Sequence, residues 1–255
     1  MRIIIDDKPY EAQPGQYVLE IARQNGVEIP ALCHHEALQG QACCRLCVVE
    51  AEAAEGSSIV VSCTYPAKEG LRVNTRSVRV TRLRRAILAL LKEQAPEAEG
   101  KLPEYCAEYG VSDYALQYNE KPEEKCILCG LCSKACEKLG SFAIQTTMRG
   151  IDRVVAPPFN EPSEACIGCA SCKKVCPTGA IESIEDLGAQ TDGPNAVHPT
   201  RTIWGKTFEL IQCAACGKPF ATKEELEWLK ERLTKDTDLN QEYCPKCRGR
   251  ESTNK

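Results

Sequence analysis

Of the eighteen cysteines in this 255-residue chain, sixteen fall into four groups of four. Most stand in C-x-x-C pairs, a spacing that presents two thiolates to one metal centre and is rare in secreted disulfide frameworks. The first group is Cys33, Cys44, Cys47 and Cys63: one isolated cysteine, a close pair, and a distant fourth. Each iron of a [2Fe–2S] unit takes two thiolates. The arrangement therefore suits one such cluster, held by a loop and clamped from a strand end. Pro30 and Gly40 permit an irregular loop, and the short gap Arg45-Leu46 wraps backbone N–H groups toward sulfur.

The second and third groups are two copies of C-x-x-C-x-x-C-x-x-x-C, at Cys126, Cys129, Cys132, Cys136 and at Cys166, Cys169, Cys172, Cys176, the latter followed by Pro177. In this run three close cysteines wrap one cubane and the fourth reaches the other. Two [4Fe–4S] clusters are thus expected, one on Cys126, Cys129, Cys132 and Cys176, the other on Cys136, Cys166, Cys169 and Cys172. Gly130 and Gly168 are expected to let backbone approach the sulfides. Glu137 stands where the first copy would carry proline. Zinc fits these interlocked sets poorly, because it takes four ligands in pairs. The fourth group, Cys213, Cys216, Cys244 and Cys247, has that paired form, and it suits a closed tetrahedral site for structural zinc or a mononuclear iron.

These groups need elements to hold them. Aromatics make up 5% of the chain and methionine occurs twice, so small domains here need staples other than large apolar side chains. Residues 1–78 read as an α+β unit: the β-branched run Ile3–Ile5, a turn at Asp6-Asp7-Lys8-Pro9, a short helix over Val18, Leu19, Ile21 and Ala22 ending before Gly26, and strands at Val48-Val49 and Ile59–Val61. Residues 79–120 form a helical linker. In it Val80, Leu83, Ile87, Leu90 and Leu91 recur at helical spacing, and Arg76, Arg79, Arg82 and Arg85 mark a solvated opposite face. The paired motifs occupy 121–190, a linker with Gly193, Pro194 and Pro199 occupies 191–203, and the last four cysteines occupy 204–255, with an amphipathic helix over 223–233 between their two pairs.

Three segments carry a resemblance: Ile29-Pro30-Ala31-Leu32-Cys33-His34-His35, Ala42-Cys43-Cys44-Arg45-Leu46-Cys47-Val48-Val49-Glu50 and Ser62-Cys63-Thr64-Tyr65-Pro66. Through them residues 1–78 resemble the ferredoxin-like N-terminal domain shared by the large iron–sulfur subunit of respiratory complex I, the diaphorase small subunit of NAD-reducing hydrogenases, and multimeric iron-only hydrogenases. The resemblance implies an α+β chain: a β-grasp [2Fe–2S] ferredoxin domain, a helical linker, a bacterial 2[4Fe–4S] ferredoxin-like domain, and a small C-terminal zinc-ribbon-like unit. Cys43 sits beside a ligand and reads as a packed or free thiol. Relatives of the complex I type carry a further cluster, held by one histidine and three cysteines in a motif ending before Leu-Gln. Here Leu116-Gln117 marks the end of that motif, but Lys101, Tyr105, Glu108 and Tyr114 occupy the ligand places and Cys106 is the only thiol nearby, so no cluster is expected there. The C-terminal unit is similar to the tail of the ferredoxin-like subunit of formate hydrogenlyase, through Cys213-Ala214-Ala215-Cys216-Gly217-Lys218-Pro219-Phe220 and Cys244-Pro245-Lys246-Cys247-Arg248.

The sequence holds no glycine-rich dinucleotide fingerprint and no P-loop. Its three histidines, His34, His35 and His198, read as structural or solvated, so no catalytic site is expected. The expectation is an electron-transfer subunit of a soluble multi-subunit oxidoreductase. By resemblance its partners are a flavin-containing NAD(P)-linked subunit, a catalytic subunit such as a hydrogenase or formate dehydrogenase, and ferredoxin. The alternatives are a stand-alone ferredoxin-like carrier, a self-contained enzyme, and a zinc-dependent binding module. A formal charge of −4 gives no general pull toward nucleic acid or an anionic membrane. Reduced thiols, with no signal core and no spanning apolar run, suggest the cytoplasm.

Overall fold

The computed structural model describes residues 1–38, 40–53, 56–111, 122–187, 198–232 and 242–248. They form two compact units, Met1–Lys134 with Val175–Ala180, and Ala135–Lys174 with Ile181–Lys255.

The first unit begins with β1 (Arg2–Ile5) and β2 (Lys8–Glu11), joined by a two-residue turn in which Asp6 and Asp7 both take left-handed φ, 48° and 64°. A tight hairpin between twisted strands requires this of its central residues. The Asp6 carboxylate also accepts from the Thr75 N–H at 2.6 Å, tying the turn to the end of β5 (Arg72–Asn74). Helix α1 (Val18–Gln24) ends in a Schellman motif, with Val27 N–H donating to Ala22 O at 2.8 Å, Gly26 N–H donating to Arg23 O at 3.1 Å, and Gly26 at φ 71°. With β3 (Val48–Ala53) and β4 (Gly56–Val61) the sheet has the order β2-β1-β5-β3-β4, parallel between β1 and β5 and antiparallel elsewhere. Ile3, Ile5, Val49, Ala51 and Val73 of the sheet share one buried cluster with Val18, Leu19, Ile21 and Ala22 of α1. This is the β-grasp arrangement.

Helix α2 (Val78–Gln94) starts at Ser77, whose hydroxyl accepts from Val80 N–H at 3.2 Å, and α3 (Lys101–Glu108) follows it. The buried face of α2 differs from its apolar periodicity. Val80 and Leu91 are buried, but Leu83 and Leu90 are 36% and 61% exposed, and Arg84, Leu88 and Ala89 take the inner positions. The reason is polar. Arg84 donates from Nη2 to Val48 O at 2.7 Å and from Nη1 to Tyr109 Oη at 2.9 Å, which offsets the burial of its charge and rotates the helix to suit it. Arg76, Arg79, Arg82 and Arg85 are exposed.

Helix α4 (Leu131–Lys138) carries Cys132 and Cys136. In the second unit, β6 (Gln145–Thr147) and β7 (Val154–Ala156) form a hairpin and α5 (Ser171–Lys174) is one turn of helix. A four-stranded antiparallel sheet follows, in the order β11-β10-β9-β8, from β8 (Ser183–Asp186), β9 (Thr200–Ile203), β10 (Lys206–Gln212) and β11 (Pro219–Thr222). Residues 200–203, which composition assigns to a linker, are therefore a central strand, and the sheet joins β8 of the paired-motif segment to the C-terminal cysteines. Helix α6 (Lys223–Arg232) opens at Thr222, whose hydroxyl accepts from Glu225 N–H at 3.1 Å; Leu233, the expected last residue of this helix, lies outside the described residues. No helix among the described residues is long and apolar enough to cross a membrane.

Replacing Arg84 with methionine keeps its volume but leaves the Val48 carbonyl and the Tyr109 hydroxyl without their donor. We expect a loss of roughly 2 kcal/mol in urea unfolding followed by helical ellipticity. An unchanged midpoint would mean that Arg84 does not hold α2 against β3.

Candidate metal centres

The first four cysteines are brought to one place in the first unit, and all are buried: Cys33, Cys47 and Cys63 at 1% exposure and Cys44 at 6%. Their loop turns through left-handed Ala42 and Arg45, at φ 54° and 57°, which folds the chain back on itself. Cys44 N–H points at Cys33 Sγ from 3.4 Å. Ser62 pins the other side, donating from both its N–H (3.1 Å) and its hydroxyl (2.6 Å) to Cys47 O. Cys47 pairs with Cys63: hydrogen bonding from Cys63 draws Cys47 down to about 6, while the same contact and burial push Cys63 up; Cys33 contacts both Cys43, whose hydrogen bond pushes it up, and Cys44. Four buried thiols, three from the loop and Cys63 from just past β4, match two irons with two thiolates each. Cys43 is exposed, and its thiol donates to Cys129 O at 3.1 Å.

The paired motifs sort by unit. Cys126, Cys129, Cys132 and Cys176 interact electrostatically within the first, where burial lifts Cys129 to about 12. Glu99 N–H donates to Thr178 O at 3.0 Å and Lys101 N–H to Pro177 O at 3.3 Å, which holds the segment bearing Cys176. Leu128 N–H points at Cys126 Sγ from 3.3 Å. Cys136, Cys166, Cys169 and Cys172 line one pocket in the second unit, with Ile144, Ile167 and Ile203 among its apolar walls. Ala143 N–H points at Cys136 Sγ from 3.2 Å and Trp204 Nε1 at Cys172 Sγ from 3.5 Å. Thiols gathered around an apolar cavity, with N–H groups aimed at sulfur, fit iron–sulfide clusters. The two loops also share a backbone pattern. Leu128 and Gly168, each two residues after the first cysteine of a motif, have φ 52° and 67°, and Gly130 and Ala170, each following the second, have φ 75° and 55°.

The last four thiols lie within 4.8 Å of one another, a spacing that could hold one metal ion. Cys216 Sγ and Cys244 Sγ are 3.9 Å apart, close to the ~3.8 Å spacing that follows from four thiolates at about 2.3 Å in a tetrahedron. Cys244 N–H donates to Cys213 Sγ at 3.2 Å, and such backbone donors draw Cys213 down to about 6. A single ion fits here.

Cys106 is 5% exposed in an apolar cluster with Leu88 and Leu102, and burial pushes its thiol up. Lys101, Tyr105 and Glu108 fall on or at the end of α3. Tyr114, Leu116 and Gln117 lie outside the described residues. The sequence reading missed Arg201, Trp204, Lys206 and Thr222, which surround the loop from Glu164 to Gly168. Gly205 was the one local cue to the hairpin that carries three of them, and the tryptophan before it is not a usual turn residue.

Residues 1–78 match the 2Fe-2S iron-sulfur cluster binding domain and residues 121–183 the 4Fe-4S dicluster domain. The chain is 30% identical to the NADP-reducing hydrogenase subunit HndD of Solidesulfovibrio fructosivorans, over 84% of this chain and 41% of the relative. It is 28% identical to the NADPH-Fe(3+) oxidoreductase subunit alpha of Geobacter sulfurreducens, over 62% of this chain and 22% of the relative. It thus spans less than half of these relatives. A crystal structure of an NAD+-reducing [NiFe]-hydrogenase in the H2-reduced state superposes with a TM-score of 0.61 at 28% identity, over 70% of this chain and 85% of that one.

Gly168 and Gly130 make a discriminating pair. A Cβ on Gly168 would meet Phe208 Cγ at 2.6 Å and Thr222 Cγ2 at 2.9 Å, whereas on Gly130 its nearest neighbour is 3.8 Å away. The glycine at 168 thus admits the Phe208 ring. We expect Gly130→Ala to cost only the left-handed strain, about 1 kcal/mol, and Gly168→Ala to lower the thermal midpoint several times further, with iron lost from the second motif. Equal midpoints for the two variants would refute the packing role.

Proposed function

We propose that this chain, which joins a 2Fe–2S cluster binding domain to a 4Fe–4S dicluster domain, is an electron-transfer subunit of a multi-subunit oxidoreductase. It relays electrons between a flavin-containing NAD(P)-linked subunit and a catalytic subunit such as a hydrogenase or formate dehydrogenase, with ferredoxin as a further exchange partner. The observation that carries the reading is in the first unit. Cys33 and Cys44 of the [2Fe–2S] loop and Cys129 of the first cubane motif belong to one buried apolar cluster, with Leu32, Leu46, Ile127 and Leu131 packed among them. Two redox sites built from different domain types share a core there, and the Cys43 thiol spans from one ligand loop to the other. The names of the relatives, an NADP-reducing hydrogenase subunit and an NADPH-Fe(3+) oxidoreductase subunit, support the nicotinamide-linked side.

In this reading Cys33 and Cys44 hold one iron of the [2Fe–2S] centre and Cys47 and Cys63 the other. Cys126, Cys129, Cys132 and Cys176 hold the first [4Fe–4S] centre, and Cys136, Cys166, Cys169 and Cys172 the second. Cys213, Cys216, Cys244 and Cys247 hold zinc or a single iron. Bound clusters supply one-electron redox centres. The protein binds them through thiolates, orients backbone N–H groups at the sulfurs, and keeps water away with apolar walls. Because buried thiols must ionise to bind iron, loading releases protons.

Anaerobically reconstituted protein is expected to contain about ten irons and about one zinc, and to give both two-iron and four-iron paramagnetic signals on reduction. Cys129→Ser is expected to remove one four-iron signal and about four irons while leaving the two-iron signal. Co-purification from its native host would identify the flavin and catalytic subunits. Colourless material holding zinc alone would end this reading.

A further inference from the structure

The hairpin β9–β10 does more than connect. Its turn residues, Trp204 and Gly205, take φ 54° and 72°, the left-handed pair that two-residue hairpins need. Asparagine or glycine adopts that geometry readily; a tryptophan at φ 54° is an outlier whose strain the fold must hold. What the strain secures is the aim of the indole. Trp204 Nε1 lies 3.5 Å from Cys172 Sγ, and Trp204 and Ile203 complete the wall of the cavity bounded by Cys136, Cys166, Cys169 and Cys172.

The same sheet captures the carbonyls of the cluster loop. Arg201 Nη1 donates to Gly168 O at 2.8 Å, and Lys206 Nζ donates to Cys166 O at 3.0 Å and to Glu164 O at 3.3 Å. Thr222 donates its hydroxyl proton to Ile167 O. Two cations and one uncharged donor therefore converge on one loop, and Glu185, paired with Arg201 at 2.9 Å, offsets part of that charge.

We propose that the β9–β10 hairpin is a fixed cap that raises the reduction potential of the second cubane, with Trp204 positioning the hydrogen-bond donor on Cys172 and Lys206 supplying positive charge. This rests on the reading that Cys136, Cys166, Cys169 and Cys172 hold a cubane. The physics is electrostatic. Reduction adds one negative charge to the cluster and its thiolates, so a donor on sulfur and a nearby ammonium stabilise the reduced state more than the oxidised one. Ile203 and Trp204 wall one side of the pocket, which reduces the screening of those interactions on that side. A centre so placed accepts electrons more readily than it would without the cap.

The test is a redox titration of the full, anaerobically prepared chain followed by electron paramagnetic resonance. Trp204→Phe keeps the ring and removes the donor; it is expected to lower the reduction equilibrium constant of one cubane about tenfold, about 59 mV for one electron. The other cubane and the two-iron centre should be unmoved. Lys206→Met should shift the same cubane in the same direction. A measurement on the unaltered chain removes dependence on folding of the variants: with 15N-labelled tryptophan, one reduced cubane should show a nitrogen hyperfine coupling that persists in Trp228→Phe. Two cubane signals with unshifted potentials and no such coupling would overturn the cap. Absence of any second cubane signal in the unaltered chain would remove the cluster reading itself, and the cap with it.

Discussion

A buried thiol is a poor hydrogen-bonding group and a good metal ligand, and this fold is organised around that asymmetry. Cys33, Cys44, Cys47, Cys63, Cys129, Cys132, Cys213 and Cys244 are all under 9% exposed in a chain with four phenylalanines and two tryptophans. Cys47 and Cys63 sit in the apolar cluster of the β-grasp sheet, and Cys33, Cys44 and Cys129 in the cluster beneath α2 and α3. Positions that a larger domain would fill with leucine or phenylalanine are filled here with sulfur. Where a metal centre takes up such buried thiols, its binding free energy is also folding free energy.

That constraint explains the backbone conformations. Thiolate charge must be balanced by N–H groups, and a loop turns its N–H groups inward only by leaving the extended and helical regions. Ala42, Arg45, Leu128 and Ala170 take left-handed φ without being glycine. The two cubane loops adopt the same pair of left-handed positions while exchanging which of the pair is glycine. The glycine is therefore not set by the loop geometry alone. At 168 the neighbour is Phe208; at 130 the nearest atom is the tip of Gln41, a flexible side chain that gives way.

Local chemistry was legible in the sequence; long-range packing was not. The Asp6-Asp7 turn, the end of α1 at Gly26 and the start of α2 follow from residue types within a few positions of each other, and each forms as those residues direct. The C-x-x-C spacing marks close thiol pairs, because spacing fixes what one loop can present, and Cys213-Cys216 and Cys244-Cys247 are two such pairs brought within 4.8 Å. Three features escaped. The inner face of α2 is decided by Arg84 meeting a carbonyl 36 residues away and a tyrosine 25 residues away, and no periodicity of apolar residues encodes that. Strand β9 reads as linker because its own residues, Thr200–Ile203, follow proline-containing polar chain; its identity comes from β8 and β10 on either side. The role of Gly168 depends on the ring of Phe208, far along the chain.

The sheet β11-β10-β9-β8 links these escapes. A zinc-ribbon-like unit on a flexible tether would leave the second cubane loop to solvent. A sheet that begins at Ser183, just past the second motif, and ends beside Cys213 cannot be so detached. β10 runs from Lys206, which holds the loop carbonyls, to Gln212, the residue before the first cysteine of the four-thiol site. The four-thiol group and the lysine that grips the loop carbonyls thus sit at opposite ends of one seven-residue strand, so the fold ties the C-terminal cysteines to the loop that carries Cys166 and Cys169.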